Sequence, residues 1–284
     1  MDHRQENFEG AHGTKLFEQH WMPDQPATGA LVIVHGLKDH GSRYAETAAD
    51  LVARGYSVHA ADLRGHGQSE GGRVQVDTFD DYLADLEIFL KRVREIETGP
   101  LFLMGHSMGG AIATLYTITR QPALAGLVLS GAALDPGAPG VAVAALKFFA
   151  SIAPRFGGFQ LKLEHFSRDP EVVAACRADP LVHQPGGPLR TAAELINAIG
   201  RIQARMEDVL VPLLVLHGGA DRVTPPEGSR QLHRRAQSEN KTLRIFDGLY
   251  HDLLHEPEKV TVRSTILDWI DGLARENPQR VQAS

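Results

Sequence analysis

The chain has 284 residues, of which 43% are hydrophobic and 23% charged, and its formal net charge at pH 7 is −6. This composition is ordinary for a globular protein, and the length suits one α/β domain with room for an insertion. The acidic balance, without any basic run interleaved with aromatic residues, argues against a nucleic-acid partner, and no stretch reaches the roughly 18–20 apolar residues that span a bilayer.

Both ends of the chain are polar, and we expect flexible tails over residues 1–6 and 277–284. The N-terminal sequence MDHRQENFEG is too polar to be a secretory signal. The single cysteine, Cys176, excludes an intrachain disulfide and fits a reducing compartment. Together these features favour a cytoplasmic protein.

From residue 7 onward, apolar strands alternate with amphipathic helices. Two segments that flank Gly13, Phe8–Gly10 and Thr14–Trp21, predict an N-terminal antiparallel hairpin. The elements expected next are the strand Ala30–Val34, the helix Arg43–Ala53, the strand Ser57–Leu63, the helix Phe79–Ile96, a strand from Leu101, a helix over about 108–120 and the strand Ala125–Ser130. This alternation predicts an α/β fold whose mostly parallel sheet is flanked by helices on both faces.

The alternation stops after Ser130, where residues 132–206 contain several prolines between short helical patches. We interpret this segment as an inserted helical cap, so that 7–131 and 207–276 form the core. Such caps exclude water from a site and shape the path of a substrate. Within the insertion, Val141–Pro154 is apolar on most sides. Its length suits a helix that lies at a membrane interface, or one that packs over the site without touching lipid.

The run LFLMGHSMGG, at Leu101–Gly110, carries the most specific motif in the chain. Its centre, GHSMG, is a G-x-S-x-G sequence between an apolar strand and a helix. In a nucleophile elbow the serine occupies a sharp strand-to-helix turn that requires glycine on either side, and the helix N-terminus faces the place where an oxyanion forms. The pattern predicts Ser107 as the nucleophile of a serine hydrolase.

A serine nucleophile needs a base and an acid that orients the base, and in this type of fold their order along the chain is Ser, acid, His. The apolar run VPLLVLHGGAD ends at Asp221, and the run TLRIFDGLYH ends at His251. Both residues follow strands and lie at the carboxyl edge, where open α/β sheets build their sites. Ser107, Asp221 and His251 are therefore the predicted triad.

Five neighbouring residues offer other interpretations. Asp208 lies on the wrong side of the late strand to be the triad acid, Asp247 lies in a turn, and Asp252 directly follows the predicted base. His255 completes an HDLLH spacing, but the glutamate of H-E-x-x-H and a third ligand are missing, which disfavours a metal site. We interpret His255 as a solvated or helix-capping imidazole, and His217 as a side chain that packs at a strand end.

An oxyanion hole requires two backbone N–H donors. One is expected at Met108, directly after the nucleophile. The other is expected at Leu37, in the loop after Ala30–Val34, because Gly36 allows the tight turn that aims this amide at a substrate carbonyl.

Four blocks of the sequence resemble the monoacylglycerol lipases and the related lysophospholipase-like hydrolases. They occur in the family's order, within a stretch from about residue 8 to residue 273, and they read HGLKDHGSRY at 35–44, DLRGHGQSEG at 62–71, GHSMGG at 105–110 and YHDLLHE at 250–256. The resemblance implies an α/β-hydrolase with a mobile cap that cleaves esters of one long acyl chain. It also implies that no cofactor is needed and that the cap touches membranes.

The resemblance further implies a site for the head group. In monoacylglycerol lipases an acid and an arginine in the first block help to bind glycerol, and Asp39 and Arg43 occupy those positions. The family commonly has Glu at the position of Asp39, which is one methylene shorter. His106 matches a histidine at the glycerol end of the pocket. A loop acid or N-cap for Asp39, and a helix-start residue paired to a surface carboxylate for Arg43, are the structural alternatives.

An acyl chain also needs apolar walls, which the insertion can supply. The candidates there are Leu146, Phe148, Phe149, Ile152 and Phe159.

These features predict a serine carboxylester hydrolase that cleaves monoacylglycerol to fatty acid and glycerol through an acyl-enzyme, without metal or cofactor. Lysophospholipase, broad carboxylesterase and perhydrolase activities are alternatives because they share the triad. A non-catalytic ligand receptor of the same fold is more remote, since all three triad residues are present. A dehalogenase or epoxide hydrolase would carry aspartate in place of Ser107.

Overall fold

The structure is a computed structural model that describes residues 1–159 and 161–276. Its strands are β1 (Asp2–Glu9), β2 (Lys15–Met22), β3 (Gly29–Val34), β4 (Tyr56–Ala61), β5 (Leu101–His106), β6 (Gly126–Ser130), β7 (Gly157–Phe159), β8 (Gly187–Pro188), β9 (Leu213–Gly218) and β10 (Lys241–Phe246). Its helices are α1 (Ala45–Ala53), α2 (Phe79–Ile96), α3 (Met108–Arg120), α4 (Gly140–Ile152), α5 (Pro170–Ala178), α6 (Leu189–Gln203), α7 (Pro226–Arg235) and α8 (Lys259–Glu276).

One large sheet contains the strands in the order β1-β2-β4-β3-β5-β6-β9-β10. The strands from β4 to β10 in this order run parallel, while β1 and β2 form an antiparallel hairpin at one edge. The predicted α/β fold with a mostly parallel sheet is confirmed, and so is the N-terminal hairpin. Because the strands are parallel, their carboxyl ends meet at a single edge, which is where the predicted triad residues lie.

The central strands are buried on both faces, as the continuous apolar runs predict for a sheet covered on both sides. Side chains alternate between two cores because successive residues of a strand point to opposite faces. Leu103 of β5 packs in the core that includes residues of α2, α3 and α6. Phe102 and Met104 pack in the core that includes residues of α1 and α8.

Helix α2 begins at Phe79 and ends at Ile96, as predicted. The apolar residues that recur with the helical period are all buried, and they are Phe79, Leu83, Leu86, Phe89, Leu90 and Val93. This stripe is what holds the helix against the sheet, because helices of this length depend on packing more than on intrinsic propensity.

The predicted flexible tail over residues 1–6 is wrong, because Asp2–Glu9 forms strand β1 and pairs along its whole length with β2. Of its side chains only Phe8 is buried, so no apolar alternation marks the strand in the sequence. Backbone hydrogen bonds hold it, together with the ring of His3, which stacks on Trp21 at 4.9 Å between centroids. The other predicted tail, 277–284, lies outside the described residues.

The segment between β6 and β9 contains α4, α5, α6 and the short β7–β8 pair. Helix α6 packs against α3 and α4, and its residues Ala198, Ile199 and Ile202 are buried in the main core. The hydroxyl of Thr191 donates to the carbonyl of Val74 at 2.8 Å. The interpretation of 132–206 as a cap stays a prediction, with α6 anchoring this segment to α3 and the main core. No helix in the described part of the chain is long and apolar enough to cross a membrane.

Replacing Leu103 by alanine should lower the free energy of unfolding by about 2–5 kcal/mol, because its side chain is fully buried and the sheet cannot close the cavity. The measurement is urea denaturation followed by circular dichroism. The control is Ile96→Ala at the exposed end of α2, which should change the free energy of unfolding by about 0.5 kcal/mol or less. Equal losses in the two variants would contradict this packing.

Candidate active site

Ser107 lies at the turn between β5 and α3 with φ 54° and ψ −120°. A positive φ is costly for a residue with a side chain and persists only where the surroundings enforce it. Here the Ser107 amide donates to the carbonyl of Ser130 at 3.1 Å. Its own carbonyl accepts from the amides of Gly110 and Ala133, each at 3.0 Å. The structure therefore places Ser107 in the strained turn that the motif predicts.

The glycines of the motif are required by close backbone approach. A Cβ added to Gly105 would lie 2.4 Å from the carbonyl oxygen of Gly109. A Cβ added to Gly109 would lie 2.1 Å from the carbonyl oxygen of Val34 on β3. The first turn of α3 is thus pressed against β3 and β5, and no side chain fits between them.

His251 and Asp221 are buried and hydrogen-bonded to each other, with 2.8 Å between His251 Nδ1 and Asp221 Oδ2. The other oxygen, Oδ1, accepts from the amides of Val223 at 2.7 Å and Thr224 at 3.0 Å. Burial opposes ionisation of this carboxyl, but the charge of His251 and hydrogen bonds from two histidines outweigh it. The pKa of Asp221 therefore lies well below its usual value, and the group is an anion at neutral pH.

The second nitrogen of His251 is poised to accept a proton. With Nδ1 donating to Asp221, the neutral ring carries its lone pair on Nε2. That atom is buried and has no hydrogen-bond partner among the described residues. The ring is held by His106, 4.8 Å away between centroids, and by Phe166 at 5.3 Å in an edge-on contact. Since His106 precedes Ser107 directly, this contact brings the histidine loop to the elbow.

The two predicted oxyanion donors lie on either side of the elbow. Gly36 lies so close that an added Cβ would be 3.1 Å from Ser107 Cβ, and Leu37 lines the same pocket as Ser107. Met108 is the first residue of α3, so its amide belongs to the first turn, where no intrahelical acceptor is available. The role of these two amides stays a prediction.

A pocket of about 500 Å³, including its open mouth, lies in front of Ser107. The residues that the core contributes to its wall are mostly polar and include Lys38, Asp39, Arg43, His106 and Ser107. The side chains that the insertion contributes are mostly apolar and include Leu161, Leu163, Phe166 and Val182. The pocket therefore offers polar contacts from the core and an apolar surface from the insertion.

The prediction that Phe148, Phe149 and Ile152 of α4 line the acyl site is wrong, because these side chains are exposed and are not part of the pocket wall. Their exposed fractions are 61% for Phe148, 58% for Phe149 and 65% for Ile152. Helix α4 is apolar on most sides, so its sequence does not mark an inner face, and in the structure it buries Ala150 instead. Leu146 is half-buried and is not part of this pocket wall. The side chain of Phe159 lies outside the described residues.

Arg43 bridges two buried carboxylates beside this pocket. Its guanidinium donates to Asp39 Oδ1 at 2.8 Å and to Asp252 Oδ2 at 2.7 Å, and Tyr44 Oη donates to Asp39 Oδ2 at 3.1 Å. Burial opposes ionisation of Asp39, but the positive charge of Arg43 outweighs it and lowers the pKa of that carboxyl. The alternative of a surface partner for Arg43 is wrong, since both carboxylates are buried.

His255 completes this group of charges. Its Nδ1 lies 2.8 Å from Asp252 Oδ1, and its Nε2 lies 2.9 Å from the carbonyl oxygen of Arg43. Both neighbours are acceptors, so hydrogen on both nitrogens satisfies them, which is the charged form of the ring. Burial lowers the pKa of His255, but Asp252 raises it by more, and the net change is upward. The interpretation of His255 as a solvated or capping residue is therefore wrong.

Of the three remaining candidates from the sequence, two aspartates lie away from the site and His217 lies within it. Asp208 pairs with Arg205 at 2.7 Å on the surface, and Asp247 is exposed in the turn after β10, so neither contacts His251. His217 does more than pack, because its Nε2 lies 3.1 Å from Asp221 Oδ2. Its spacing of four residues before the acid was the available signal for this contact.

Among the described residues, a cluster with the spacing of metal ligands consists of Glu6, Glu18 and His20. It lies on β1 and β2, at the antiparallel edge of the sheet, and the Ser107 pocket contains none of these residues. Glu18 is already paired with the guanidinium of Arg92.

The chain is similar in sequence and in structure to known hydrolases. A family model, Hydrolase_4 (serine aminopeptidase, S33), matches residues 25–258. A monoacylglycerol lipase of Mycolicibacterium smegmatis is 36% identical over 267 residues, covering 93% of this chain and 95% of that protein. The monoglyceride lipase of Homo sapiens is 34% identical over 255 residues, covering 88% of this chain and 84% of that protein. The crystal structure of Paleococcus ferrophilus monoacylglycerol lipase matches with a TM-score of 0.80 and 31% identity, covering 91% of this chain and 99% of that chain.

The raised pKa of His255 predicts a pH-dependent contribution to stability. A group whose pKa is higher in the folded state stabilises the fold below its unfolded pKa of about 6.5, and this contribution fades as pH rises through the folded pKa. The His255→Gln substitution should therefore cost more unfolding free energy at about pH 6 than at about pH 9. Urea denaturation of both proteins at the two pH values measures this difference. A loss that is the same at both would contradict the charged form.

Proposed function

The chain belongs to the Hydrolase_4 family, and we propose that it is a serine carboxylester hydrolase that cleaves monoacylglycerols into a fatty acid and glycerol. The observation that carries the proposal is the elbow serine in the wall of a pocket with polar and apolar sides, next to His106, whose ring contacts the buried His251–Asp221 pair. The family description names an aminopeptidase, whereas the relatives described above are lipases along 88–93% of this chain. The proposal follows these relatives.

In the first half of the reaction, Ser107 Oγ attacks the ester carbonyl while His251 Nε2 takes the hydroxyl proton. Asp221 holds the imidazole in the tautomer that leaves Nε2 free, and its charge stabilises the imidazolium that forms. The amides of Leu37 and Met108 stabilise the negative oxygen of the tetrahedral intermediate, and one such donor is typically worth about 10²–10³ in turnover.

In the second half, the intermediate collapses and glycerol leaves with the proton that His251 carries. The acyl chain is then esterified to Ser107. Water gives a proton to His251 and attacks the acyl carbonyl, and a second tetrahedral intermediate releases the fatty acid and returns the proton to the serine. No step requires a metal or a cofactor.

The charges beside the pocket favour glycerol over a phosphorylated head group. Two carboxylates, Asp39 and Asp252, are balanced by Arg43 and a protonated His255. Both sides of the Arg43 guanidinium are already occupied, so a phosphate would meet a cation that is neutralised by buried anions. A neutral polyol can exchange hydrogen bonds with Asp39, Arg43 and His106 without upsetting this balance. This supports a monoacylglycerol over a lysophospholipid.

The insertion, residues 132–206, is the proposed cap. It supplies Leu161, Leu163, Phe166 and Val182 to the apolar wall, where the acyl chain binds. Such a chain gains about 0.8 kcal/mol for each methylene removed from water. The apolar wall therefore favours substrates with a long acyl chain over short esters.

The outer face of the cap is suited to peripheral contact with a lipid surface. Large apolar side chains are exposed there, with fractions of 80% for Val141, 61% for Phe148, 58% for Phe149, 65% for Ile152 and 65% for Phe156. Exposed apolar groups gathered on one segment mark interaction surfaces, and a helix of this kind binds at the boundary between headgroups and acyl chains. Contact there would let a poorly soluble substrate enter without crossing water.

Ser107→Ala should abolish release of fatty acid from a monoacylglycerol, because no nucleophile remains, while the fold is kept. Wild type should turn over the monoacylglycerol faster than a lysophospholipid with the same acyl chain. Both activities are measured by fatty-acid release, with Ser151→Ala on the exposed end of α4 as the matched control. Faster turnover of the lysophospholipid would show that the site prefers a phosphorylated head group to glycerol. Turnover of neither substrate, nor of short nitrophenyl esters, would refute the hydrolase.

The double substitution Phe148→Ser, Phe149→Ser should weaken binding to phosphatidylcholine vesicles by about tenfold or more, since burying one such side chain contributes about 1.5–3 kcal/mol. Vesicle flotation measures this, and hydrolysis of a soluble short ester should be unchanged. Ile96→Ser, an exposed apolar residue on α2, is the control and should bind like wild type. Equal binding of all three proteins would exclude the cap as the contact surface.

A further inference from the structure

His217, on β9, is a buried histidine whose ring faces the acid of the predicted triad. Its Nε2 lies 3.1 Å from Asp221 Oδ2 and 3.1 Å from the carbonyl oxygen of Thr224. Its Nδ1 lies 2.7 Å from Ser229 Oγ on α7. The side chains of His217 and Asp221 are both fully buried, so water does not take part in these contacts.

The partners of the ring determine which nitrogen carries hydrogen. A carboxylate oxygen and a carbonyl oxygen both face Nε2, and neither can donate. Nε2 must therefore carry the hydrogen, which bonds to the Thr224 carbonyl and has Asp221 Oδ2 as a second acceptor at the same 3.1 Å distance. In the neutral ring Nδ1 is then the acceptor, and the hydroxyl of Ser229 donates to it. Helix α7 thereby supplies the hydroxyl that satisfies the second nitrogen of a histidine on β9.

We propose that His217 is a positioning residue for the reaction, which holds the Asp221 carboxylate with an Nε2 hydrogen shared between the Thr224 carbonyl and Oδ2. Oδ2 is the same oxygen that accepts the His251 Nδ1 hydrogen bond at 2.8 Å. The proposal rests on the proposed function, in which His251 is the base. Oδ1 is held by two backbone amides, and the His217 donor fixes the second oxygen. The carboxylate therefore cannot turn away from His251 during turnover.

Removing the His217 donor should lower kcat and leave KM unchanged. His217 is not among the residues that line the pocket, so it does not contact substrate. Removing its N–H leaves a buried carboxylate oxygen with one donor fewer. An unsatisfied buried acceptor raises the free energy of the site by its desolvation penalty. Thr224 Oγ1, 2.9 Å from the same oxygen, provides only part of the compensation because it also lies 3.0 Å from the carbonyl of Gly131.

The experiment compares His217→Leu, which has no donor, with His217→Gln, whose Nε2 can reproduce the donor at a similar reach. A fluorophosphonate that labels Ser107 counts the active sites, and kcat and KM for a nitrophenyl ester are expressed per labelled site. We expect His217→Leu to lose about 10- to 100-fold in kcat with KM within about twofold, a loss typical of a hydrogen bond to a charged group. His217→Gln should recover most of this loss.

Equal kcat per labelled site for the leucine and glutamine variants would overturn the proposal and leave His217 a purely structural residue. If His217→Leu does not fold, His217→Phe carries the test, because it keeps a flat ring in the same place but has no donor. Its kcat per labelled site should fall about 10- to 100-fold, and an unchanged kcat would overturn the proposal. Wild type that is neither labelled nor active would instead refute the proposed function, so the two failures are distinguishable.

Discussion

The hydrogen bond between His251 and a buried, ionised Asp221 is the interaction on which the site depends. Burial alone would neutralise this carboxyl, and a neutral acid would not orient the imidazole or stabilise its charged form. The chain keeps Asp221 ionised by surrounding it with donors: two backbone amides bond to one oxygen, His251 and the Thr224 hydroxyl bond to the other, and His217 Nε2 lies 3.1 Å from that second oxygen. These donors come from β9, the loop after it and the loop after β10, so the site forms only when the carboxyl edge of the sheet is complete.

A second buried set of charges ties the same loops together on the other side of the histidine. Arg43, at the turn before α1, reaches across to Asp252, the residue directly after His251, and to Asp39 in the loop that carries the predicted oxyanion donor. Removing any one member would leave a buried charge without its partner, which costs far more than a surface ion pair contributes. One network therefore fixes the oxyanion loop and the histidine loop, and its balanced charge also suits an uncharged head group.

The sequence predicted the elements whose burial follows a regular period or whose motif needs a special backbone. The helix Phe79–Ile96 and the strand–serine–helix turn belong to this class. The sequence did not predict strand Asp2–Glu9, because an exposed edge strand is held by backbone bonds and needs no apolar pattern. It also placed Phe148 and Phe149 on the wrong surface, since a helix that is apolar all round does not mark its inner face. The spacing of His217, four residues before Asp221, was a signal for their contact, but the direction in which the ring faces depends on the tertiary structure.

In the proposed mechanism the acyl chain passes through an ester on Ser107. The most direct measurement is to mix the protein with a long-chain monoacylglycerol, quench with acid during turnover, and map the acyl group by peptide mass spectrometry. Cys176 lines the same pocket and is the internal control, because a thiol would also form a stable acyl adduct. The expected result of the acyl-enzyme mechanism is the acyl mass on the peptide that contains Ser107 and none on the peptide with Cys176. An acyl group on Cys176, or turnover without any acylated serine, would contradict it.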